Sequence, residues 1–505
     1  MTWDILLPLF AGSPLLFAGI TAFAGARFRW SSVLLVTVLA VNLAGAAALV
    51  VVTADGSVLA HQVGGWAPGI AIPFVADAFT ALMLTVAGLL TLVCVIFALL
   101  ADTGRNRLFA PLVLVLLAGV NGALATADLF NLFVFIEVML LASYGLLVIA
   151  KKGEGTLRAV IGSRLYVAFN LFVSTVFLAG VGLVYGAAGT VNLAELAGAA
   201  GESDVVAAGV AVCLFALGMK AAVVPVHGWL ARAYPSTSPA ITALFSGLHT
   251  KVAIYAIYRI YAVVFEGDPQ YLWIGVVLFS ATMLIGVLGA VGEDRMRSIL
   301  AFHMVSQIGY ILLGVALFTP LGLTAGIFYL LHHMIVKASL FLSAGAIEHR
   351  YGTDRLDELK GKVGREPVLA VAFGIAALSL AGLPPFSGFV AKLTLITGAI
   401  DDGQVIAAII ALVVSLITLL SMLKIFNVVF APTITGQTPA EEPAGASSTI
   451  TKTRTSTPLR LAAPALVLAA ITLCLGLGAQ GLLDLAGTAA AGLVDTTAYV
   501  KAILP

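Results

Sequence analysis

The chain has 505 residues, of which 61% are hydrophobic and only 10% are charged. A soluble domain carries about 25% charged residues, so this composition excludes a water-soluble globule and indicates a membrane protein. The formal net charge of +1 gives no argument for a nucleic-acid partner or for an acidic substrate.

Apolar runs that are long enough to cross a bilayer recur along the whole chain. We count fourteen: 3–24, 30–52, 77–100, 108–127, 129–150, 160–187, 205–227, 240–262, 271–290, 298–318, 321–346, 367–398, 404–431 and 458–483. The first run has no basic region and no cleavage site before it, so it is typical of a membrane helix and not of a signal peptide. The sequence therefore predicts an all-α polytopic membrane protein with about 14 transmembrane helices, and we expect a short tail from Asp484 to Pro505.

Basic residues divide the predicted loops into two sets. The odd-numbered loops carry lysines and arginines, such as Arg105 and Arg107, whereas the even-numbered loops carry only acidic charges, such as Asp55 and Asp204. We call the two membrane sides the basic side and the acidic side. The positive-inside rule predicts that the basic side is cytoplasmic, with both termini on the outer side of a bacterial plasma membrane. The thirteenth loop, 432–456, is rich in Pro, Ser and Thr and is predicted to be mobile.

Two predicted segments contain helix-breaking residues at corresponding places. Pro225 interrupts the seventh, and Gly382, Pro384, Pro385 and Gly388 interrupt the twelfth. One proline kink alone would be explained by packing. Paired interruptions are typical of inverted repeats with broken helices, so we predict two inverted five-helix repeats. The predicted units are 1–107 (segments one to three), 108–262 (first repeat), 263–431 (second repeat), and 432–505 (the cytoplasmic loop, the last segment and the tail).

Ionisable side chains lie inside several predicted membrane segments of the first repeat. Glu137 lies near the middle of the fifth segment, Lys220 precedes the break of the seventh, and Lys251 lies near the centre of the eighth. Such groups cost several kcal/mol at membrane depth, so they are usually retained for a function. The alternative is a structural ion pair that holds helices together. Burial favours the neutral form of lysine, so a buried lysine can release a proton and recover it near neutral pH.

The second repeat carries a matching set of candidates. These are His332, His333 and Lys337 in the eleventh segment, and Lys392 after the second break. The two histidines suggest a metal site, but adjacent residues point in different directions on a helix and no Asp, Glu or Cys lies one turn away. We therefore predict no metal and favour proton transfer, because histidine titrates near neutral pH.

Other polar residues are secondary candidates, for which a purely structural role is about as well supported. They are His227, His249, His303, Gln307, Tyr255, Lys424 and Arg164. Lys424 and Arg164 are long enough to reach the membrane surface from their segments. The chain has no Walker A motif, no dinucleotide-binding glycine motif and no metal-ligand spacing at its three cysteines, so no cofactor is predicted.

The chain resembles the antiporter-like membrane subunits shared by Mrp-type cation/proton antiporters and NADH:quinone oxidoreductase. Besides the Glu137 segment, the resemblance is carried by LGMKAAVVPVHGWL, SPAITALFSGLHTKVAIY, EDRMRSILAFHMVSQIGYILLG and LAGLPPFSGFVAK. LHHMIVKASLFLSAG is most similar to the Mrp antiporter subunits designated D. The resemblance implies a fourteen-segment bundle, and its proton-path residues match Glu137, Lys220, Lys251, His332, His333, Lys337 and Lys392. The stretch ARAYP departs from the Pro-Asp pair often found there, which weakens any role for that loop.

The resemblance and the buried charges together predict a proton-translocating subunit of a multi-subunit Na⁺/H⁺ antiporter, and not an enzyme. The implied partners are the other Mrp subunits, designated A, B, C, E, F and G, together with the lipid bilayer, protons and Na⁺. We expect the pair of Glu137 and Lys220 to gate proton transfer and Lys392 to exchange protons with one side. Two alternatives remain: a proton-pumping membrane subunit of a redox complex, and a scaffold without transport of its own.

Overall fold

The computed structural model describes residues 3–23, 28–149, 157–360, 363, 366–431 and 457–505, and within these ranges it is almost entirely helical. The helices are α1 (Leu9–Phe23), α2 (Phe28–Thr53), α3 (Ala78–Leu100), α4 (Phe109–Ala125), α5 (Leu129–Ile149), α6 (Leu157–Ala188), α7 (Ala199–Glu202), α8 (Asp204–Lys220), α9 (Gly228–Ala233), α10 (Pro239–Val264), α11 (Leu272–Val291), α12 (Met296–Leu317), α13 (Pro320–Tyr351), α14 (Leu356–Leu359), α15 (Pro367–Ala381), α16 (Ser387–Asp401), α17 (Val405–Val429), α18 (Leu459–Leu477), α19 (Ala479–Val494) and α20 (Thr497–Ile503). Two short strands, β1 (Leu59–Gln62) and β2 (Pro73–Ala76), pair antiparallel.

Each of the fourteen predicted segments contains one or two of these helices. Within the described ranges, eleven helices are long and apolar enough to cross a membrane, and α4, α15 and α19 are shorter apolar helices. The predicted all-α polytopic membrane architecture is therefore confirmed, whereas the count of fourteen stays a prediction.

Both predicted helix breaks are present. The first separates α8 from α9, and the second separates α15 from α16. Pro225 cannot donate a backbone hydrogen bond, and the N–H of the preceding Val224 donates to the Thr282 hydroxyl of α11 at 3.1 Å instead of to a helix carbonyl. Gly382 ends α15 with a φ of 88°, a left-handed conformation that glycine adopts without steric cost.

The predicted even-numbered loops meet one another on the acidic side. The hairpin of β1 and β2 contacts the next acidic-side loop, where the N–H of Ala127 donates to the Pro73 carbonyl at 3.0 Å. The C-terminal α20 reaches the same side, since the Gln62 side chain donates to the Ile503 carbonyl at 2.8 Å. The C-terminal α20 thus lies on the same side as the second and fourth predicted loops, and the orientation of the termini stays a prediction.

The odd-numbered loops meet on the opposite, basic side. The Arg297 side chain donates to the Thr237 carbonyl at 2.5 Å and pairs with Glu348 at 2.8 Å, while Arg295 pairs with Asp354 at 2.5 Å. These contacts place the seventh, ninth and eleventh predicted loops on one side, whereas the full alternation and the side that faces the cytoplasm stay predictions. The predicted mobile loop at 432–456 and the basic residues at 24–27 and 150–156 lie outside the described residues.

Three helices form the centre of the bundle. Nearly all residues of α10, α12 and α13 are buried, whereas α2, α11 and α17 expose apolar side chains at their outer faces. An outer helix that meets lipid must present apolar side chains, but a helix enclosed by others can carry ionisable ones. This placement explains why Lys251 and Lys337 occur on helices that are fully enclosed.

The prediction of a tail from Asp484 onward is wrong, because α19 continues past it and α20 follows. Ala486, Ala489, Ala490 and Leu493 are buried, at the spacing of one helix face. Through this face, α19 packs against α13 and α3. Alanine contributes little to a search for long hydrophobic runs, so the prediction overlooked this helical periodicity.

Candidate functional site

The first group of buried polar residues surrounds Lys220 at the end of α8. Its Nζ atom lies 3.4 Å from the Asn170 side-chain oxygen of α6. Glu137 of α5 interacts electrostatically with Lys220, but within the described part of the chain no ion pair of 4.0 Å or less joins them. One buried oxygen of Glu137 also has no hydrogen-bond partner among the described residues. Glu137 and Lys220 are thus close enough to interact electrostatically, but they do not form an ion pair in this arrangement.

His249 extends this group to α10. Its Nδ1 atom lies 3.0 Å from the Tyr166 hydroxyl, which in turn lies 3.1 Å from the Ser143 hydroxyl of α5. His249 also interacts electrostatically with Lys220. Sequence reasoning missed Tyr166 and Asn170, although their spacing of four residues places both on one face of α6.

Lys251 occupies the centre of α10 and is fully buried. Its Nζ atom donates to the Thr250 hydroxyl at 3.0 Å. It interacts electrostatically with His333 and with Lys337, both on α13. Neither ring nitrogen of His333 has a hydrogen-bond partner among the described residues. Two buried ammonium groups repel each other, so a proton on Lys251 disfavours a proton on Lys337.

The adjacent histidines of α13 face different neighbours. His332 Nδ1 lies 2.7 Å from the Ser387 hydroxyl, the first residue of α16 after the second break, whereas His333 interacts with Lys251. Lys337 lies one turn further along and donates to the Leu300 carbonyl of α12 at 3.0 Å. Over the described residues, no three His, Cys, Asp or Glu side chains come together as a metal site would require.

Lys392 is anchored at the second helix break. Its Nζ atom donates to the Ala381 carbonyl and to the Ser415 hydroxyl, both at 3.0 Å. Ala381 is the last residue of α15, and a helix leaves its final carbonyls without partners in the helix and with a partial negative charge. The break therefore supplies the acceptor that holds Lys392. Its ammonium also lies 5.0 Å from the centre of the Tyr310 ring.

Aromatic residues connect Lys392 with His332. The rings of Tyr310 and Tyr329 stack at 5.3 Å, and the Tyr329 and His332 rings are 5.8 Å apart. The Tyr329 hydroxyl donates to the Gln307 side-chain oxygen. Tyr329 was not among the sequence candidates, because a single tyrosine in an apolar helix gives no local signal.

The remaining secondary candidates occupy different places. Of these, His303 is buried and lies 2.9 Å from the Ser421 hydroxyl. Lys424 lies on the basic side, 3.4 Å from Asp294. Arg164 is exposed on α6, and His227 is half-buried where α9 begins. The structure therefore does not bring Lys424 or Arg164 to the buried series.

The principal candidates form one series through the middle of the bundle. It starts at Glu137 and Lys220, crosses α10 by way of His249 and Lys251, and continues through α13 to Lys392. Several links are electrostatic contacts and not hydrogen bonds, so proton transfer along the series requires water or side-chain movement between these groups. Chemically, the arrangement is a series of buried titratable side chains that extends through both predicted repeats.

Comparison with known proteins identifies the family. The family model described as NADH:quinone oxidoreductase/Mrp antiporter, transmembrane, matches residues 126–418. A Na⁺/H⁺ antiporter protein of Alkalihalophilus pseudofirmus, the subunit designated D, is 39% identical over 449 residues, which is 88% of each chain. The chain belongs to this family. The protein with the same name from Bacillus subtilis is 32% identical over 453 residues, again 88% of each chain.

Members of the family with solved structures share the whole fold. A chain of the Mrp complex from Dietzia sp. has a TM-score of 0.94 and 57% identity, covering 100% of both chains. A chain of the archaeal membrane-bound sulfane sulfur reductase has a TM-score of 0.86 and 26% identity, covering 99% of both. A chain of respiratory complex I from Thermus thermophilus has a TM-score of 0.77 and 25% identity, covering 97% of this chain and 100% of that one. The family predicted from the sequence motifs is thus confirmed.

Proposed function

We propose that the chain is the proton-translocating subunit of a multi-subunit Na⁺/H⁺ antiporter. The main support is its full-length similarity to a chain of an Mrp complex, at about twice the identity found with the respiratory chains. Two relatives named as the D-designated subunits of Na⁺/H⁺ antiporters support the same assignment. The chain is then a transporter subunit and not a catalytic enzyme, and its partners are the other Mrp subunits and the lipid bilayer.

The proposal includes an orientation and an internal symmetry. In the proposed orientation the basic side faces the cytoplasm of a bacterium and both termini lie outside the plasma membrane, which the lysines and arginines of the loops support. The units 108–262 and 263–431 form two inverted repeats, in each of which the fourth helix is broken. Each unit then contributes one lysine beside its own break: Lys220 in the first and Lys392 in the second.

Glu137 and Lys220 act as the gate of the first repeat. When the carboxylate and the ammonium approach, each stabilises the charge of the other, and Lys220 holds its proton. When they separate, burial favours neutral Lys220, which passes its proton toward His249. The open contact between Glu137 and Lys220 supports a pair that alternates between these two arrangements.

Lys251, His333 and Lys337 relay the proton at the centre. Because a charge on Lys251 disfavours one on Lys337, a proton arriving at one lysine expels a proton from the other. His333 interacts electrostatically with both lysines, and its ring nitrogens have no hydrogen-bond partner among the described residues, so it can carry the proton between them. Lys392 then exchanges protons with one side, assisted by His332.

Substitution of Lys251 tests the proposal. We expect Lys251→Ala to abolish the sodium-induced collapse of the pH gradient in energised everted vesicles that contain the assembled complex. The matched control is Lys424→Ala, since Lys424 is a lysine on the basic side and outside the buried series. Assembly is measured by co-purification of the other subunits. Normal transport by the Lys251 variant would refute the central relay.

The same vesicles separate the two alternatives. A subunit of a redox complex predicts that sodium has no effect on the pH gradient, while the variant lowers proton pumping driven by NADH. A scaffold without transport predicts that every assembled variant of the buried lysines transports like the wild type. The first result would overturn the antiporter assignment, and the second would overturn the proton-translocating role of this subunit.

A further inference from the structure

A second buried charge pair lies at the acidic end of α10, outside the series described above. Arg259 Nη2 lies 2.6 Å from Asp77 Oδ2, and the two side chains are 3% and 9% exposed. The other oxygen of Asp77 accepts a hydrogen bond from the Thr80 N–H at 2.9 Å, because Asp77 caps the first turn of α3. Both carboxylate oxygens are therefore occupied.

Arg259 is held in place from several directions, but its own donors are incompletely used. Its guanidinium carbon lies 4.5 Å from the centre of the Tyr499 ring of α20, and Nη2 lies 3.4 Å from the Tyr255 hydroxyl. Nε and Nη1 are buried without a hydrogen-bond partner among the described residues. Buried polar groups are nearly always satisfied, so unused donors on a buried guanidinium suggest a second arrangement in which they are used.

Arg259 lies on the same helix as Lys251, about two turns closer to the acidic side. Lys251, Tyr255 and Arg259 are spaced by four residues, so each lies about 6 Å further along α10 than the one before. The Tyr255 hydroxyl lies 2.7 Å from the Thr80 hydroxyl of α3. The interface between α10 and α3 thus carries the two polar contacts Tyr255–Thr80 and Arg259–Asp77, which lie one and two turns from the central lysine.

We propose that Asp77 and Arg259 form the gate through which Lys251 exchanges protons with the acidic side. Asp77 is the proton carrier, and Arg259 is the latch that closes the route by binding the carboxylate. This inference rests on the proposed function, because it needs Lys251 to be a proton relay.

The transfer has two steps. When Arg259 moves away, the Lys251 ammonium gives its proton through a chain of intervening waters to the Asp77 carboxylate, which leaves a neutral amine and a neutral carboxylic acid. The acid then releases the proton to the acidic side, and Arg259 binds the regenerated carboxylate. In the arrangement observed, the route is closed, because Arg259 and the Thr80 N–H occupy both oxygens of Asp77.

The two members of the pair must therefore give opposite results when changed singly. Arg259→Gln leaves an unlatched carboxyl group, so we expect a proton leak without sodium that is several-fold faster than in the wild type. Asp77→Asn removes the carrier, so we expect no leak and loss of sodium-induced proton flux. The double variant Asp77→Asn/Arg259→Gln should also not leak, because a leak through the open latch needs Asp77.

The experiment uses everted vesicles with the assembled complex and follows the decay of an imposed pH gradient without sodium, then after sodium is added. Arg105→Gln is the control, because it breaks the exposed pair of Arg105 with Asp102 on the basic side. Tyr499→Leu is a second test variant. It keeps the charges of Asp77 and Arg259 but removes the aromatic ring that packs against the guanidinium. We expect it to leak less than Arg259→Gln, and only when Asp77 is present.

The outcomes separate this inference from the proposed function. If Arg259→Gln and Asp77→Asn reduce assembly and transport equally and Tyr499→Leu shows no leak, the pair is only a structural link between α3 and α10, and the gate is refuted. If Lys251→Ala abolishes transport in the same preparation, the central relay stands despite that result. If Lys251→Ala transports normally, the proposed function fails and the gate fails with it.

Discussion

At the scale of single residues, the four buried lysines have one property in common. Lys220, Lys251, Lys337 and Lys392 each donate to neutral oxygen atoms, namely an amide, hydroxyls and backbone carbonyls. A carboxylate bound tightly to such a lysine would hold its proton in place, whereas a neutral acceptor stabilises the charged form less strongly. These sites are therefore suited to gaining and losing a proton.

The arginines differ in both chemistry and position. Arg259 and Arg297 form close ion pairs with carboxylates toward the two ends of the bundle. Arginine remains protonated under all ordinary conditions, so it can close a gate or link two helices but cannot relay a proton. The arginines thus occupy sites with a close carboxylate partner, whereas the buried lysines occupy sites with neutral acceptors.

This difference gives a residue-scale prediction for Lys251→Arg. The variant keeps the positive charge but cannot release it, so we expect sodium-induced proton flux to fall to the level of Lys251→Ala. The measurement is the vesicle assay at equal assembly. Transport at the wild-type rate would show that position 251 needs only a fixed positive charge, which contradicts the relay.

A second residue-scale prediction concerns Glu137→Gln. The amide has nearly the same shape but no charge, so Lys220 loses the attraction that the gate needs. A charge pair in a partly buried site is worth a few kcal/mol, so we expect transport to fall about tenfold or more. Glu137→Asp keeps the charge on a shorter side chain and serves as the control. A glutamine variant that transports as well as the aspartate variant would contradict the gate.

At the scale of elements, the second break is a tightly packed joint between α15 and α16. A Cβ atom on Gly388 would lie 1.7 Å from the Ser379 carbonyl oxygen, so no larger residue fits without moving α16. The adjacent Ser387 contacts His332, and Lys392 lies one turn further along α16. The position of α16 therefore determines whether His332 contacts Ser387 and whether Lys392 contacts the end of α15.

We accordingly expect Gly388→Ala to lower both transport and thermal stability. Forcing a methyl group into packed backbone costs about 1–3 kcal/mol, and the shift separates His332 from Ser387. Gly481→Ala is the control, because a Cβ there meets no atom within 4 Å. The measurements are the vesicle assay and the apparent melting temperature of the purified complex. Equal behaviour of both alanine variants would show that the joint tolerates movement.

At the scale of the whole molecule, the two predicted repeats share one continuous centre. The central helices α10 and α13 belong to different units, yet they pack directly against each other, and Lys251 interacts electrostatically with His333 and Lys337 across that interface. A proton passing between the units therefore crosses an interface buried within one chain. On the basic side, Arg297 of the second unit contacts Thr237 of the first.

Arg297→Gln tests this connection between the units. Glu348 loses its ion-pair partner and the Thr237 carbonyl loses its donor, so we expect the variant to be less stable by about 1–3 kcal/mol. Arg355→Gln is the control, because its ion pairs are exposed and contribute little. The measurement is the apparent melting temperature of each purified variant, and we expect a lower value for Arg297→Gln than for Arg355→Gln. Equal values would show that Arg297 contributes no more than a surface arginine.

The sequence by itself determined the polytopic helical architecture and the two breaks. These features follow from local rules: a backbone in lipid must satisfy its own hydrogen bonds, a span needs a certain apolar length, and proline cannot continue a helix. The sequence motifs were also sufficient to identify the family. The same rules underestimated α19, because its buried face consists mainly of alanine.

Only the tertiary structure decided which polar groups meet. Asp77 and Arg259 are 182 residues apart, and neither was a principal candidate, because a charge near a membrane edge is commonly interfacial. Likewise, His332 reaches Ser387 while the adjacent His333 faces Lys251. The physical reason is that helix rotation and helix pairing set these contacts, and both result from packing small and large side chains between helices distant in the chain.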